Sequence, residues 1–147
     1  MKSAYRSLAW QTLVGAVIMY LVMFVMIDRL SSFYNNLNMA YMTLMMVAPM
    51  VVLMIIAMPD MFPDKRRNIL LLGGAALAFF GSFGLIRTQT TIGDQAFLRS
   101  MIPHHSGAVL MCEQARLSDP EVLELCRGII AGQKAEIDQM KRILDRK

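Results

Sequence analysis

The chain has few of the side chains on which enzyme chemistry usually depends. Its 147 residues include only two histidines and two cysteines. It has no Gly-rich phosphate loop and no serine, histidine and acid arrangement, so neither nucleotide-dependent nor serine-hydrolase chemistry is indicated. A Cys-x-x-Cys-His sequence for covalent haem is absent, and so is the Glu-x-x-His motif of di-iron bundles. We therefore expect that the protein is not an enzyme.

Charge is absent from three long stretches, 8–27, 39–58 and 69–86. At a rise of 1.5 Å per residue, each is about long enough to cross a hydrocarbon core of roughly 30 Å. The first stretch exceeds the core of a signal peptide, about 7–15 residues, and no clear cleavage site follows it. The sequence therefore predicts a membrane domain over residues 1–87 with three spanning helices, the first of them an uncleaved anchor.

The positions of Lys and Arg predict the orientation in the membrane. Lys2 and Arg6 precede the first stretch, Arg29 alone follows it, and residues 65–67 are all basic. Because short basic segments stay in the cytoplasm, the N-terminus and the second loop are predicted to be cytoplasmic. Everything after Arg87 is then predicted to be periplasmic, outside a bacterial inner membrane. The net charge of +4 reflects this topology, and we expect no nucleic-acid partner.

Two helices joined by a tight turn are predicted after the membrane domain. Apolar residues recur at helical spacing after Asp94, which can act as an N-cap, and a second helical period runs from Pro120 to Leu144. Between them, Asp119 can cap the second helix, and Pro120 has its φ preset for a first helical position. We predict an extramembrane antiparallel hairpin domain over 94–144.

Both histidines and several sulfur atoms fall on one face of this hairpin. The stretch MIPHHSGAVLMC covers residues 101–112, and at about 100° per residue its donor side chains share a sector of roughly 120°. That sector holds five of them: Met101, His104, His105, Met111 and Cys112. The second helix offers four polar or sulfur groups to the same interior: Cys126, Gln133, Glu136 and Met140.

The two cysteines are predicted to face each other across the hairpin. Residues equally distant from Asp119 lie level in an antiparallel pair, which matches Cys112 with Cys126 and His105 with Gln133. In an oxidising compartment a disulfide here would stabilise the fold by about 3 kcal/mol. Two other interpretations stay open: a pair of buried thiols that pack as apolar groups, and a dithiolate for a soft metal.

Imidazole and thioether groups together form a donor set for a soft metal ion, whereas Mg²⁺ and Ca²⁺ prefer oxygen ligands. Zinc is disfavoured because no four ligands have its usual spacing. The candidate metal ligands are Met101, His104, His105, Met111, Glu136 and Met140, with Gln133 as a supporting residue behind them. The alternative is that hydrogen bonds to Gln133, Glu136 or backbone carbonyls satisfy the histidines in a purely structural role.

At these residues the chain resembles a family of bacterial proteins known as domain of unknown function 305. The resemblance lies in FLRSMIPHHSGAVLM and SDPEVLELCRGIIAGQKAEIDQMKRIL, which lie within about residues 94–144. Several family members are linked to copper and silver handling. The resemblance therefore implies a ferritin-like helical bundle that binds copper through Met and His. The matching positions are Met101, His104, His105, Ala108, Met111, Ile130, Gln133, Glu136, Ile137 and Met140.

Family members often carry two such hairpins, whereas this chain has one. A single hairpin leaves apolar faces uncovered, so we predict a homodimer that completes a four-helix bundle with ligands from both subunits. The combined prediction is an all-α protein, anchored in the lipid bilayer, that binds Cu(I), with Ag(I) as a surrogate, for sequestration, transfer or resistance. Other copper-handling or membrane proteins are expected partners. The alternatives are a metal-free structural or assembly subunit and a noncovalent haem protein.

Overall fold

Five α-helices and one short 3₁₀ helix make up the part of the chain that the structure describes. A computed structural model describes the backbone of residues 2–146 and the side chains of residues 4–146, so Met1 of the predicted membrane domain and the side chain of Lys2 lie outside it. No strand occurs among the described residues, consistent with the all-α prediction. The elements are α1 (Lys2–Val22), a 3₁₀ helix (Leu30–Ser32), α2 (Leu37–Ala57), α3 (Lys65–Thr88), α4 (Asp94–Gln114) and α5 (Pro120–Leu144).

Two of the described helices, not three, are long and apolar enough to cross a membrane. They are α2 and α3, with mean hydropathies of 2.3 and 2.2, so the predicted arrangement of three spans followed by a hairpin is wrong. The reason lies in α1, which ends at Val22 and leaves residues 23–27 of the predicted first span outside the helix. The helix itself also contains polar side chains, among them Arg6, Gln11 and Thr12, so its apolar stretch is shorter than those of α2 and α3.

The chain forms two compact units. Unit 1 combines Met1–Val22 with Asn38–Thr91, and unit 2 combines Met23–Leu37 with Ile92–Lys147. We call Met23–Leu37 the strap. Its residues fall within the predicted membrane domain, 1–87, but the strap packs with α4 and α5.

Unit 1 is built on an antiparallel pair of helices, α2 and α3. The side-chain amides of Asn38 and Gln89 exchange two hydrogen bonds, of 3.0 and 3.2 Å, where α2 begins and α3 ends. At the opposite end, the Tyr5 hydroxyl of α1 donates to Asn68 Oδ1 at 2.9 Å and accepts from the backbone N–H of Asp64 at 3.1 Å. The beginning of α1 therefore lies beside the α2–α3 loop.

Unit 2 is an antiparallel pair, α4 and α5, with the strap packed on α4. The most buried face of α4 carries Ile102, Ser106 and Val109, each 0% exposed, at helical spacing. A Cβ built on Gly107 would lie 3.5 Å from the backbone oxygen of Met26, so the strap passes close to α4. The chain's own strap packs on this face at Ser106, and the completion of a four-helix bundle by a second hairpin stays a prediction.

The apolar core of unit 2 lies between the strap, α4 and α5. Leu98 and Ile102 of α4 are buried against Ile137 and Met140 of α5, and Tyr34 of the strap packs on the same cluster.

As predicted, α5 begins at Pro120. The Asp119 carboxylate accepts from the backbone N–H groups of residues 121 and 122, so two amides that an isolated helix start would leave free are satisfied.

Candidate metal site

His105 is the most constrained of the predicted site residues. Its side chain is 11% exposed, and both ring nitrogens have partners. Nδ1 lies 2.9 Å from the backbone oxygen of Met101, one turn earlier in α4, and Nε2 lies 2.8 Å from Glu136 Oε2 in α5. A carbonyl oxygen can only accept, so Nδ1 carries a proton and the ring orientation is fixed. The Glu136 carboxylate oxygen is also an acceptor, so the Nε2 contact is a hydrogen bond when that nitrogen carries a proton.

His104 lies on a different side of α4. Consecutive residues of a helix point about 100° apart. His104 therefore points away from the side of α4 that buries His105, and it is exposed. The two imidazole rings nevertheless stay close, with centroids 5.8 Å apart and planes inclined by 63°. The structure thus brings one buried and one accessible imidazole to the same turn of α4.

The methionines of the predicted site occupy different surroundings. Met140 is buried in the apolar core, and Met101 packs against the same cluster. Met111 is 58% exposed and lines an apolar surface depression near the end of α4. Since it follows His105 by six residues, it lies about 9 Å further along the helix axis. The structure therefore groups Met101 with the core below His105 and separates Met111 from it.

Cys112 and Cys126 form a disulfide that joins α4 to α5. Their Cα atoms are 5.4 Å apart, and the two residues are 14 positions apart in the chain. The bond borders the depression that Met111 lines. These cysteines therefore join the two helices of the hairpin covalently in this structure.

Gln133, the predicted supporting residue level with His105, is half-buried.

The donor groups do not form a preassembled cluster. Within the described part of the chain, no three His, Cys, Asp or Glu side chains are grouped so that they could hold a metal ion. His105 and Glu136 make one direct contact, and the thioether sulfurs of the methionines lie outside that class of donor. The chemistry of the set, two imidazoles with a neighbouring thioether and one carboxylate, still fits a soft ion better than Mg²⁺ or Ca²⁺.

A polar contact beside His105 was missed from the sequence. Ser106, fully buried, accepts from the backbone N–H of Asp28 at 2.7 Å and donates to the Asp28 carboxylate. That carboxylate also accepts from Arg29 Nε at 2.7 Å and from the Ser32 hydroxyl at 3.2 Å. No spacing rule links residues 28 and 106, so only the fold could reveal that the strap is tied to α4 next to the imidazole.

Asp28 is ionised in this contact. Its side chain is 5% exposed, and burial acts to raise its pKa. The hydrogen bonds from Ser106, Arg29 and Ser32, together with the positive charge of Arg29, outweigh that effect and lower the pKa below its ordinary value of 3.8. The same contact raises the pKa of Arg29, chiefly through its hydrogen bond to Asp28. The strap is thus held by a charged group at neutral pH.

Comparison with known proteins places the chain in a family. Residues 84–145 match the family described as domain of unknown function, DUF305. Uncharacterized protein L153 of Acanthamoeba polyphaga mimivirus is 37% identical over 113 residues, which cover 75% of this chain and 72% of that protein. The chain belongs to the DUF305 family. The resemblance seen in the sequence is thereby confirmed at the level of the family, and no solved structure matches this DUF305 protein.

Proposed function

We propose that this DUF305 protein binds Cu(I), with Ag(I) as a surrogate, on the α4–α5 face around His105, for sequestration, transfer or resistance. Copper is its cargo. The observation that carries the proposal is the double contact of His105. The Met101 carbonyl fixes the ring by holding Nδ1–H, and Nε2 faces the second helix. Ligating histidines are commonly oriented in this way by a backbone carbonyl, which leaves the other nitrogen as the ligand.

Donor groups of the right kind occupy neighbouring positions of α4 and α5. His104 supplies an accessible imidazole on the same turn, and Met101 carries a thioether on the residue whose carbonyl orients His105. Glu136 is 57% exposed, so its side chain has room to move away from Nε2 and admit an ion. The Cys112–Cys126 disulfide indicates an oxidising compartment, where thiolates would be lost but imidazole and thioether groups persist.

We further propose that α2 and α3 anchor the protein in a plasma membrane, with unit 2 on the outer side. These helices are antiparallel, so Asn38 and Thr91 lie at one end of the pair. Both segments of unit 2 continue the chain from that end, because the strap directly precedes Asn38 and Ile92 directly follows Thr91. The opposite end carries three consecutive basic residues, 65–67, which are typical of the cytoplasmic side. This placement also matches the oxidising setting that a disulfide requires.

Cu(I) titration of the full-length protein in detergent tests the copper site. The variant His104→Ala with His105→Ala should lose at least tenfold in Cu(I) affinity, because it removes both imidazoles. Unchanged affinity in that variant would rule out the site. If wild-type protein binds no copper, a metal-free assembly role is favoured instead, and a Soret absorption band after purification would point to noncovalent haem.

A matched pair of carboxylate variants separates a local role from general charge. Glu136→Gln should weaken Cu(I) binding, because it removes the anionic oxygen that faces His105 Nε2. Glu113→Gln removes the same charge from the neighbouring helix, where Glu113 pairs with Lys134 at 2.7 Å, and should leave affinity unchanged. Equal losses in the two variants would show that only the overall charge of unit 2 matters.

A further inference from the structure

Unit 1 contains an apolar groove that the copper proposal does not use. Its volume is about 610 Å³, and its walls come from all three helices of the unit. Leu8 and Ala16 belong to α1, Val47 to α2 and Leu70 to α3. Leu70 is 68% exposed, so the chain itself leaves this wall open. The groove therefore has room for a long apolar ligand.

One end of the groove is polar and basic. Arg67 and Tyr5 line it there, and the Arg67 guanidinium lies over the Tyr5 ring, 5.3 Å from its centroid. Arg67 Nε contacts Asp64 Oδ2 at 3.0 Å, with the side chain 48% exposed. Among the described residues, no further partner holds its terminal nitrogens. These N–H groups can donate to an anion without breaking the contact with Asp64.

The surroundings of Arg67 are net basic. Three more basic residues lie at the same end of unit 1: Arg6, Lys65 and Arg66. With Arg67 they outnumber the two carboxylates at this end, those of Asp60 and Asp64. Basic pockets between membrane helices on the cytoplasmic side bind the headgroups of anionic lipids. The charge here is therefore complementary to a phosphate group and unfavourable for a purely apolar occupant.

A second observation points to a ligand deeper in the groove. Thr12 lines it, and the Thr12 hydroxyl is the one buried side-chain oxygen or nitrogen among the described residues that has no hydrogen-bond partner. A buried hydroxyl without a partner costs about 1–3 kcal/mol. A ligand with a polar atom near the start of its chains, such as an ester oxygen, would satisfy this hydroxyl.

We propose that the groove binds an anionic phospholipid, with its phosphate on Arg67 and an acyl chain along α1, α2 and α3. The groove extends from Tyr5 to Ala16 on α1, about 16 Å at 1.5 Å per residue. That length is close to one leaflet of a hydrocarbon core of roughly 30 Å. A second copy of the chain would fill the apolar walls but would leave Arg67 and Thr12 without their complementary groups.

Lipid retention measured by native mass spectrometry tests this proposal. The full-length protein is reconstituted from vesicles of equal phosphatidylglycerol and phosphatidylcholine, then extracted in mild detergent. Wild type should retain phosphatidylglycerol in preference to phosphatidylcholine. Arg67→Gln should lower that preference about fivefold, the effect of one basic side chain near a membrane surface. Arg66→Gln, the matched control, removes the same charge from a neighbouring residue that does not line the groove, and it should lower the preference by distinctly less.

A second variant tests the apolar walls independently of charge. Ala16→Phe fills the groove and should reduce retention of both lipids while leaving the basic end intact; it decides the question if Arg67→Gln loses helical structure by circular dichroism. Three results would overturn the proposal: equal retention of the two lipids, equal losses in Arg66→Gln and Arg67→Gln, or a lipid-free dimer that Ala16→Phe dissociates.

Discussion

At the scale of single residues, the partner of His105 shows how side-chain direction modifies a prediction made from spacing. Level pairing across the hairpin matched His105 with Gln133, but its Nε2 contacts Glu136. Each helical side chain leans toward the N-terminus of its own helix. In the antiparallel pair, side chains of α4 therefore lean away from the turn and those of α5 lean toward it. A long side chain of α4 thus meets a residue of α5 that lies further from the turn than its level partner, as Glu136 does relative to Gln133. The short cysteine side chains meet where level pairing predicts.

Ser106 should matter to stability more than its small size indicates. Ser106→Ala removes the acceptor for the Asp28 backbone N–H and one donor to its carboxylate. Because these groups are buried, we expect a loss of about 2 kcal/mol in the free energy of unfolding. Denaturant unfolding followed by circular dichroism measures it. Ser100→Ala is the control, since Ser100 donates to the Ala96 carbonyl of its own helix, and it should change stability by less than about 0.5 kcal/mol. Equal losses would contradict this role.

Asp28 should make the docking of the strap sensitive to acid. A carboxyl group whose pKa is lower in the folded than in the unfolded state stabilises the fold when it is ionised. For Asp28 this contribution is present above the ordinary pKa of 3.8. It is lost as the pH falls through the pKa that the group has in the folded state. Asp28→Asn should therefore be less stable than wild type at pH 7, with the difference shrinking below pH 3.8. Unfolding midpoints between pH 7 and pH 3 measure it, and a difference independent of pH would refute the role. Asp60→Asn, at an exposed position, is the control.

At the scale of elements, α1 and the strap divide a stretch that the sequence presented as one apolar run. Hydropathy alone could not place the end of α1, because residues 23–27 are as apolar as those before them. Their exit from the helix depends on contacts with distant residues, such as Met26 against Gly107. The start of α5 was predictable, since Asp119 and Pro120 act on the amides directly beside them.

The disulfide should be the main covalent support of the α4–α5 pair. Closing a loop of 14 residues stabilises a fold by about 3 kcal/mol. Replacing Cys112 and Cys126 together by Ala should lower the free energy of unfolding by that order, and dithiothreitol should destabilise wild type but not this variant. A reductant effect on both proteins would contradict the assignment.

At the scale of the whole molecule, the proposed topology places the two ends of the α2–α3 pair on opposite sides of a membrane. Single cysteines introduced as Thr90→Cys and Asp60→Cys test it with an impermeant maleimide, because the native cysteines are joined in a disulfide. In intact cells Thr90→Cys should be labelled, and Asp60→Cys should react only after permeabilisation. The reverse pattern would invert the proposed orientation.

The homodimer stays a prediction at this scale. Its original reason was an uncovered hairpin, but the strap packs on α4, where Asp28 bonds to Ser106 and Tyr34 packs on the cluster that contains Ile102. Exposed apolar side chains persist elsewhere in unit 2, including Met111 and Leu125. The native mass of the detergent-solubilised protein decides between one copy and two.

The sequence by itself determined what depends on neighbours along the chain. Helix periodicity, the Asp119 cap, the apolar length of α2 and α3 and the pairing of the two cysteines all follow from local rules or from symmetry about one turn. Tertiary structure decided what depends on distant residues. It set the end of α1, the docking of Asp28 on Ser106 and the burial of His105 rather than His104. Those outcomes depend on which face of α4 the strap covers, and contacts between residues some 80 positions apart leave no periodic trace in the sequence.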